Sequence, residues 1–333
     1  MFRKITVSMA GILVLALSAC GGGSSASTAT SSAAGSSSAG GAAKAITLGF
    51  SQVGSESGWR AANTESVKSA ATAAGVTLKF SDAQQKQENQ ISAIRSFIQQ
   101  KVDVISFSPV VTTGWDTVLK EAKDAKIPVI LTDRSVDVAD PSLYVTLVGS
   151  DFTKEGVKAG TWVNTEFASA ASVNIAELQG TTGSAPAIER KKGFFSVVTD
   201  PKFKVVASQT GDFTRAGGKQ VMTAFLKAHK DINLLFAHND DMALGAIEAI
   251  TAAGLVPGKD IKIVSIDAVK DGMQALADGK INHIVECSPL LGPQLYDTAK
   301  KVLAGQSVEK WIKTDETEFT PETAKAALPD RKY

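Results

Sequence analysis

From residue 45 onward, short β-branched apolar runs alternate with longer stretches whose apolar residues recur at helical spacing. The runs predict strands over 46–51, 76–81, 102–107 and 129–132, with another over 144–148. Between the first strands, Val67, Ala70, Ala71 and Ala74 form a helical stripe that Gly75 stops, and Ile91, Ile94, Phe97 and Ile98 form a second. Near-continuous apolar strands alternating with helices imply a parallel sheet covered on both faces. The pattern then restarts. Strands over 173–177, 204–208, 233–237 and 261–266 alternate with helices over 187–198, 215–227 and 241–253. Two successive α/β halves of similar size predict a two-lobed molecule with its ligand site in the cleft between lobes. From Ile281 the pattern offers one more strand, a helix over 294–303 and an irregular tail, expected to cross back and complete the lobes.

The N-terminal pattern is different in kind. Arg3 and Lys4 precede a short apolar run from Ile5 to Leu17, and small residues lead to Cys20. This reads as an export signal over 1–19, because the run is shorter than the roughly 20 apolar residues a membrane-spanning helix needs. Leu17-Ser18-Ala19-Cys20 resembles a bacterial lipobox, which makes Cys20 the expected site of lipidation and a membrane anchor. Residues 21–43 are almost all Gly, Ser, Ala and Thr, with nothing to bury, and read as a flexible tether within the segment 20–44. The expected location is therefore extracytoplasmic and lipid-anchored, in a periplasm or on the outer face of the cytoplasmic membrane.

Composition narrows the function. The chain has 35 Lys and Arg against 34 Asp and Glu, or 33 against 34 once Arg3 and Lys4 are removed with the leader. A nucleic-acid surface normally needs a strong basic excess, so none is expected. Two Cys make no disulfide framework, three scattered His make no metal site, and no Asp/Asn alternation resembles a calcium loop. No metal and no cofactor are expected. There is no Gly-x-x-x-x-Gly-Lys-Ser/Thr string; Gly180-Thr-Thr-Gly183 reads as a plain loop.

In open α/β sheets ligands bind beyond the carboxyl ends of the strands. Those positions carry Gln52, Glu56, Trp59 and Arg60; Asp82 and Gln84; Asp133 and Arg134; Glu177 and Gln179; His238, Asn239, Asp240 and Asp241; and Asp267. Groups with two hydrogen-bonding atoms suit the adjacent hydroxyls of a polyol, and Trp59 or Phe213 can cover a sugar's less polar face. Singly, each has a structural reading: Asn239 or Asp240 can cap a helix, and Arg134 beside Asp133 can be a surface ion pair. Cys287 reads as a small apolar core residue, His229 and His283 as surface or strand-edge residues, and His238 as a possible cleft residue. Trp115 and Trp162 sit in helical patterns and read as packing; Lys191 and Lys192 read as a solvated helix face.

Several strings then carry a resemblance: Gly49-Phe-Ser-Gln-Val-Gly-Ser-Glu-Ser-Gly-Trp-Arg-Ala61, Gln84-Gln-Lys-Gln-Glu-Asn-Gln90, Asp133-Arg134-Ser135, Arg190-Lys-Lys-Gly-Phe194, Gly211-Asp-Phe-Thr-Arg215 and Ala237-His-Asn-Asp-Asp-Met242. From Ile46 to about Pro293 the chain resembles the periplasmic sugar-binding proteins of ABC importers, in the ribose- and galactose-binding group. The string around Trp59 is the most specific and resembles members that bind galactofuranose. The resemblance implies two Rossmann-like lobes with parallel sheets, a type I periplasmic binding protein. It implies an N-terminal lobe of 45–150 plus about 287–318 and a C-terminal lobe of 151–286 plus about 319–333. Three hinge crossings are expected near 149–151, 267–269 and 286–288. Carried over position by position, it makes Asp133 and Arg134 hydroxyl binders from the first lobe and Arg190, Asn239 and Asp267 binders from the second. Phe213 would pack on the ring, Glu286 would be a polar ligand near the last crossing, and Trp59, Arg60 and Glu56 would set the departure from ribose binders.

The implied role is capture of a monosaccharide, with galactofuranose preferred, by lobe closure and delivery to an ABC permease whose ATPase supplies the energy. A monomer is expected. Three alternatives stand beside it. A lipid-anchored sugar sensor would present ligand to a chemoreceptor or receptor kinase. A carbohydrate-active enzyme would use paired carboxylates. A two-lobed transcriptional regulator would carry a helix-turn-helix where this chain carries an export signal. No catalytic residue is expected.

Overall fold

The computed structural model describes residues 45–333; the leader, Cys20 and the 21–43 tether lie outside the described residues. The first half of the chain runs β1 (Thr47–Gln52), α1 (Gly58–Ala74), β2 (Thr77–Asp82), α2 (Gln87–Gln99), β3 (Val104–Phe107), α3 (Asp116–Asp124), β4 (Val129–Thr132) and β5 (Thr146–Gly149). The second runs α4 (Phe152–Glu166), β6 (Val173–Gln179), α5 (Ala185–Val197), β7 (Phe203–Thr210), α6 (Arg215–Ala228), β8 (Leu234–Ala237), α7 (Asp240–Ala252), β9 (Lys262–Asp267), α8 (Lys270–Ala277) and β10 (His283–Glu286). The chain closes with α9 (Gly292–Leu303), β11 (Trp311–Lys313), β12 (Glu318–Phe319) and α10 (Pro321–Ala327).

Two six-stranded sheets result, in the orders β2-β1-β3-β4-β5-β11 and β7-β6-β8-β9-β10-β12. Every pairing is parallel except that of β12 with β10. Central strands β3, β4, β5 and β8 are buried along their whole length, whereas β2 and β7 have exposed positions, as befits edge strands. Helices cover both faces of each sheet. Phe97, Phe107, Trp115 and Leu119 pack one face of the first, and Leu48, Phe50, Val67, Leu295 and Tyr296 the other. This is the two-lobed α/β architecture expected of the alternating pattern.

Local chemistry sets the helix ends that matter to the cleft. The Ser57 hydroxyl accepts from the Arg60 amide and starts α1, and Gly75, at φ 67°, stops it. Asn239 caps α7 through the Met242 amide, and Asp151 caps α4 through that of Lys154. Helices α4 and α5 approach so closely that a Cβ at Gly156 would collide with the Arg190 carbonyl, and one at Gly193 with that of Thr153.

The chain passes between sheets three times: from β5 to α4 at 150–151, from β10 to α9 at 287–291, and from β11 to β12 at 314–317. The turn at 267–269 is not a crossing, contrary to expectation. It leads from β9 into α8, which stays against α7 and α10 in the same lobe. The tail is also not irregular: β11 extends the first sheet, and β12 the second. Such short edge strands carry too few apolar positions to register as a pattern.

Candidate ligand-binding cleft

A small, tightly closed cavity lies between the lobes at the strand ends, where ligands bind in open α/β sheets. The first lobe lines it with Glu56, Ser57, Trp59, Arg60, Asp133 and Arg134; across from them stand Phe152, Pro186, Arg190, Phe213, Asn239, Asp267 and Cys287. Nine of the ten residues that the resemblance implied as ligand contacts therefore come together. The exception is Glu286. Its carboxylate accepts from Arg331 Nη1 at 2.8 Å and the Tyr333 hydroxyl at 2.9 Å, so the C-terminal segment occupies it and it does not line the cavity.

Three guanidinium groups dominate the polar lining, and each is held by carboxylates. Arg60 Nη2 lies 2.8 Å from Asp133 Oδ2, and its Nε donates to Glu56 Oε1 at 3.1 Å. Burial alone would lower the Arg60 pKa, but Asp133 and Glu56 outweigh it and hold it up. Arg190 Nε donates to Glu155 Oε2 at 2.7 Å and Nη2 lies 3.5 Å from Asp267 Oδ1. Arg134 is less well compensated: its nearest carboxylates, Asp133 and Glu56, are 3.7 and 3.9 Å away. Burial, then the positive charge of Arg60, brings it down to about 10. Its side chain also lies over the Phe213 ring, 5.4 Å from the centroid, a cation–π contact between the lobes.

Two buried polar atoms of this lining, Arg134 Nε and Glu56 Oε2, have no hydrogen-bond partner among the described residues. One is a donor and the other an acceptor. A hydroxyl can meet either, and a ligand that does so relieves the cost of leaving them unpaired. Three guanidinium groups against the carboxylates of Glu56, Asp133, Glu155 and Asp267 leave little net charge for an anionic ligand to seek. The lining suits a neutral polyol. Burial, opposed by Arg190 and reinforced by Asp240, pushes the Asp267 carboxyl well above the usual range.

The aromatic walls are placed by contacts the sequence did not reveal. Trp59 Nε1 donates to the Cys287 carbonyl at 2.7 Å, fixing the indole against a crossing. Phe213, at φ 61°, lies flat on Gly180, where any Cβ would enter its ring; the Asn239 amide holds the Phe213 carbonyl at 3.1 Å. Gly180 thus does more than turn a loop. Ser57, Phe152 and Pro186 were missed because none is a planar polar group at a strand end. Cys287 is buried in the core as read, and also reaches the lining.

Other candidates fall outside the cavity. His238 is fully buried against Glu177, 3.1 Å away, and burial lowers its pKa despite that partner. His283 is neither surface nor edge: it is buried in β10, stacked on Trp162 and bonded to Glu318 at 3.0 Å. Gln52 turns inward to Asn63 and Arg60, Glu177 and Gln179 bond each other and Ser208, and Asp240 accepts from Ser265 and Val269. Trp115 packs on Phe107.

The lobes meet across the cleft. The Gly58 amide donates to Asp241 Oδ2 at 2.8 Å, the Thr112 amide to the Gly183 carbonyl at 2.9 Å, and the Ser135 hydroxyl to Glu189 at 3.3 Å. The arrangement is a closed one, and a two-lobed clamp of this kind defines a solute-binding protein.

Residues 48–307 match the model of a periplasmic binding protein domain, and the chain belongs to that family, which is extracytoplasmic. It is 52% identical to a galactofuranose-binding protein of Escherichia coli over 87% of this chain and 92% of that one. A solved protein from Mycobacterium smegmatis in complex with β-D-fucofuranose is 64% identical, covering 87% of this chain and 96% of that one with a TM-score of 0.85. The binding component of an arabinose ABC transporter from Shewanella, bound to α- and β-L-arabinofuranose, is 52% identical over 86% of this chain and 96% of that one, at a TM-score of 0.83. No described helix is long and apolar enough to cross a membrane.

Proposed function

We propose that this protein captures a monosaccharide in its furanose form, galactofuranose by preference, between its two lobes and delivers it to an ABC permease. It performs no chemistry on the sugar. A lipid on Cys20 holds it at the membrane, the 21–43 segment serves as its leash, and it acts as a monomer. Glu56, Trp59, Arg60, Asp133, Arg134, Arg190, Phe213, Asn239 and Asp267 contact the sugar. The observation that carries this reading is the charge-compensated cavity with one unpartnered buried donor and one unpartnered buried acceptor, Arg134 Nε and Glu56 Oε2. Relatives above 50% identity bound to five-membered sugar rings support the furanose.

Ligand hydroxyls supplied across the cleft stabilise the closed form only, so binding and closure are one equilibrium. Specificity follows from the same geometry: an analogue lacking one hydroxyl leaves a buried group unpaired. Calorimetric titration with D-galactose, D-fucose, L-arabinose, D-ribose and methyl galactofuranosides tests the reading. Binding of a furanose at micromolar or tighter affinity, with D-ribose silent, is the expected result. Silence across the panel would remove the sugar and leave only the fold.

A further inference from the structure

All three crossings converge on one carboxyl group that no reading of the sequence singled out. Glu316 Oε1 accepts from Thr314 Oγ1 at 2.9 Å and from the Ser288 amide at 3.2 Å, and the Ser150 hydroxyl bonds the same oxygen. Ser150 belongs to the first crossing, Ser288 to the second and Thr314 to the third. Glu155, on the first turn of α4, comes up against this knot together with Cys287. Carboxylate oxygens of Glu155 and Glu316 and the Cys287 sulfur all lie within 4.8 Å of one another. Glu155 is 1% exposed, and its two oxygens have different fates. Oε2 accepts a hydrogen bond from Arg190 Nε at 2.7 Å; Oε1 is buried with no hydrogen-bond partner among the described residues.

We propose that Glu316 is a positioning residue for the cleft, sharing one proton with Glu155 and so tying the three crossings to the carboxylate that orients Arg190. The hydrogen lies between a Glu316 oxygen and Glu155 Oε1, which completes the one buried acceptor the cluster leaves unmade. Without it, two ionised carboxylates, Glu155 buried and Glu316 half-buried, would face each other beside a thiol. The charged and titratable groups around Glu316 do not remove that conflict. Arg190 is already committed to Glu155 and Asp267, Lys158 Nζ donates to the Glu316 carbonyl rather than its carboxylate, and Lys313 pairs with Asp151 at 2.6 Å. Asp267 and Cys287 add no positive charge. Burial, then the Glu155 carboxylate, raises Glu316 to about 8, and burial raises Glu155 against the pull of Arg190. The consequence for ligand rests on the sugar-binding reading above; the shared proton does not.

The test is therefore in two parts. Carboxyl-carbon NMR of the ¹³C-glutamate-labelled protein, titrated from pH 5 to 9, reads the proton directly. A Glu carboxyl titrating above pH 7 is expected, absent in Glu316→Gln and moved toward the ordinary range in Glu155→Gln, which also serves if the first variant does not fold. The proposal is overturned if no Glu carboxyl titrates above pH 6, if the signal persists in both variants, or if the purified protein carries a stoichiometric metal ion that Glu316→Gln releases. The second part is affinity for a methyl galactofuranoside. It should fall more steeply between pH 6 and 8 in wild type than in Glu316→Gln, by at least threefold. Equal slopes would confine the proton to the hinge and overturn the positioning role; no binding at any pH would sink the sugar reading while the NMR titration stood.

Discussion

Asp133, Phe213 and Asp267 are held at φ values of 69°, 61° and 129°, where a side chain other than that of glycine is strained by roughly 1–3 kcal/mol each. All three line the cavity. Their conformations persist because neighbours fix them: Gly149 leaves room for the Asp133 backbone, Gly180 for the Phe213 ring, and Arg331 Nε bonds the Ala268 carbonyl at 2.6 Å beside Asp267. Gly180→Ala should therefore lift Phe213 from its seat and weaken sugar binding by about tenfold, in line with about 1–3 kcal/mol for overpacking, with little change in circular dichroism. Arg134→Ala removes a buried charged donor and should cost about 2–3 kcal/mol, roughly 30- to 150-fold by calorimetry. An unchanged affinity would take Arg134 out of the contact set. Arg134 and Asp267 were legible as cavity residues through the resemblance, since a strand-end position alone did not separate them from Gln52, Glu177 or Asp240, which bond within their own lobes. Gly180 was not, since its partner Phe213 lies on another loop. Glu286 misled for a related reason: its sequence signature is that of a cleft residue, and the tail groups that take it up, Arg331 and Tyr333, sit in a stretch without periodicity.

Among elements, the α4–α5 pair matters most to the site because it sets Glu155 against Arg190. Close approach there depends on Gly156 and Gly193, each facing the other helix's backbone, so the clash of a new methyl would be with atoms that cannot rotate away. Gly156→Ala should lower stability by about 1–3 kcal/mol, seen as a shifted urea midpoint, and weaken ligand binding through Arg190. Central strands and long helices were readable because burial on both faces leaves an apolar run whose ends are turns. The last two strands were not: β11 and β12 have three and two residues, and tertiary pairing alone makes them strands.

At the scale of the molecule, closure and protonation are the accessible variables. Three hydrogen bonds across the cleft, from Gly58, Thr112 and Ser135, belong to the closed arrangement. Small-angle scattering should show the radius of gyration falling when a binding sugar is added, and Asp241→Asn, which weakens the acceptor for Gly58, should reduce affinity by a few fold. Burial raises Asp240 to about 7 despite donors from Ser265 and Val269. A carboxyl raised on folding contributes stability that is present below its unfolded pKa, about 3.9, and lost as pH rises through about 7. Asp240→Asn should therefore flatten the decline in melting temperature between pH 5 and 8. An identical slope in the variant would assign that decline to other groups.

The closing strands carry a consequence for how the protein is made. The first sheet lacks its edge until Trp311–Lys313 is present, the second until Glu318–Phe319 is, and α9 must return to cover α1. Neither lobe can finish from the chain that precedes it. A polypeptide that ends before Trp311 thus leaves both sheets one strand short, with β5 and β10 as their unpaired edges.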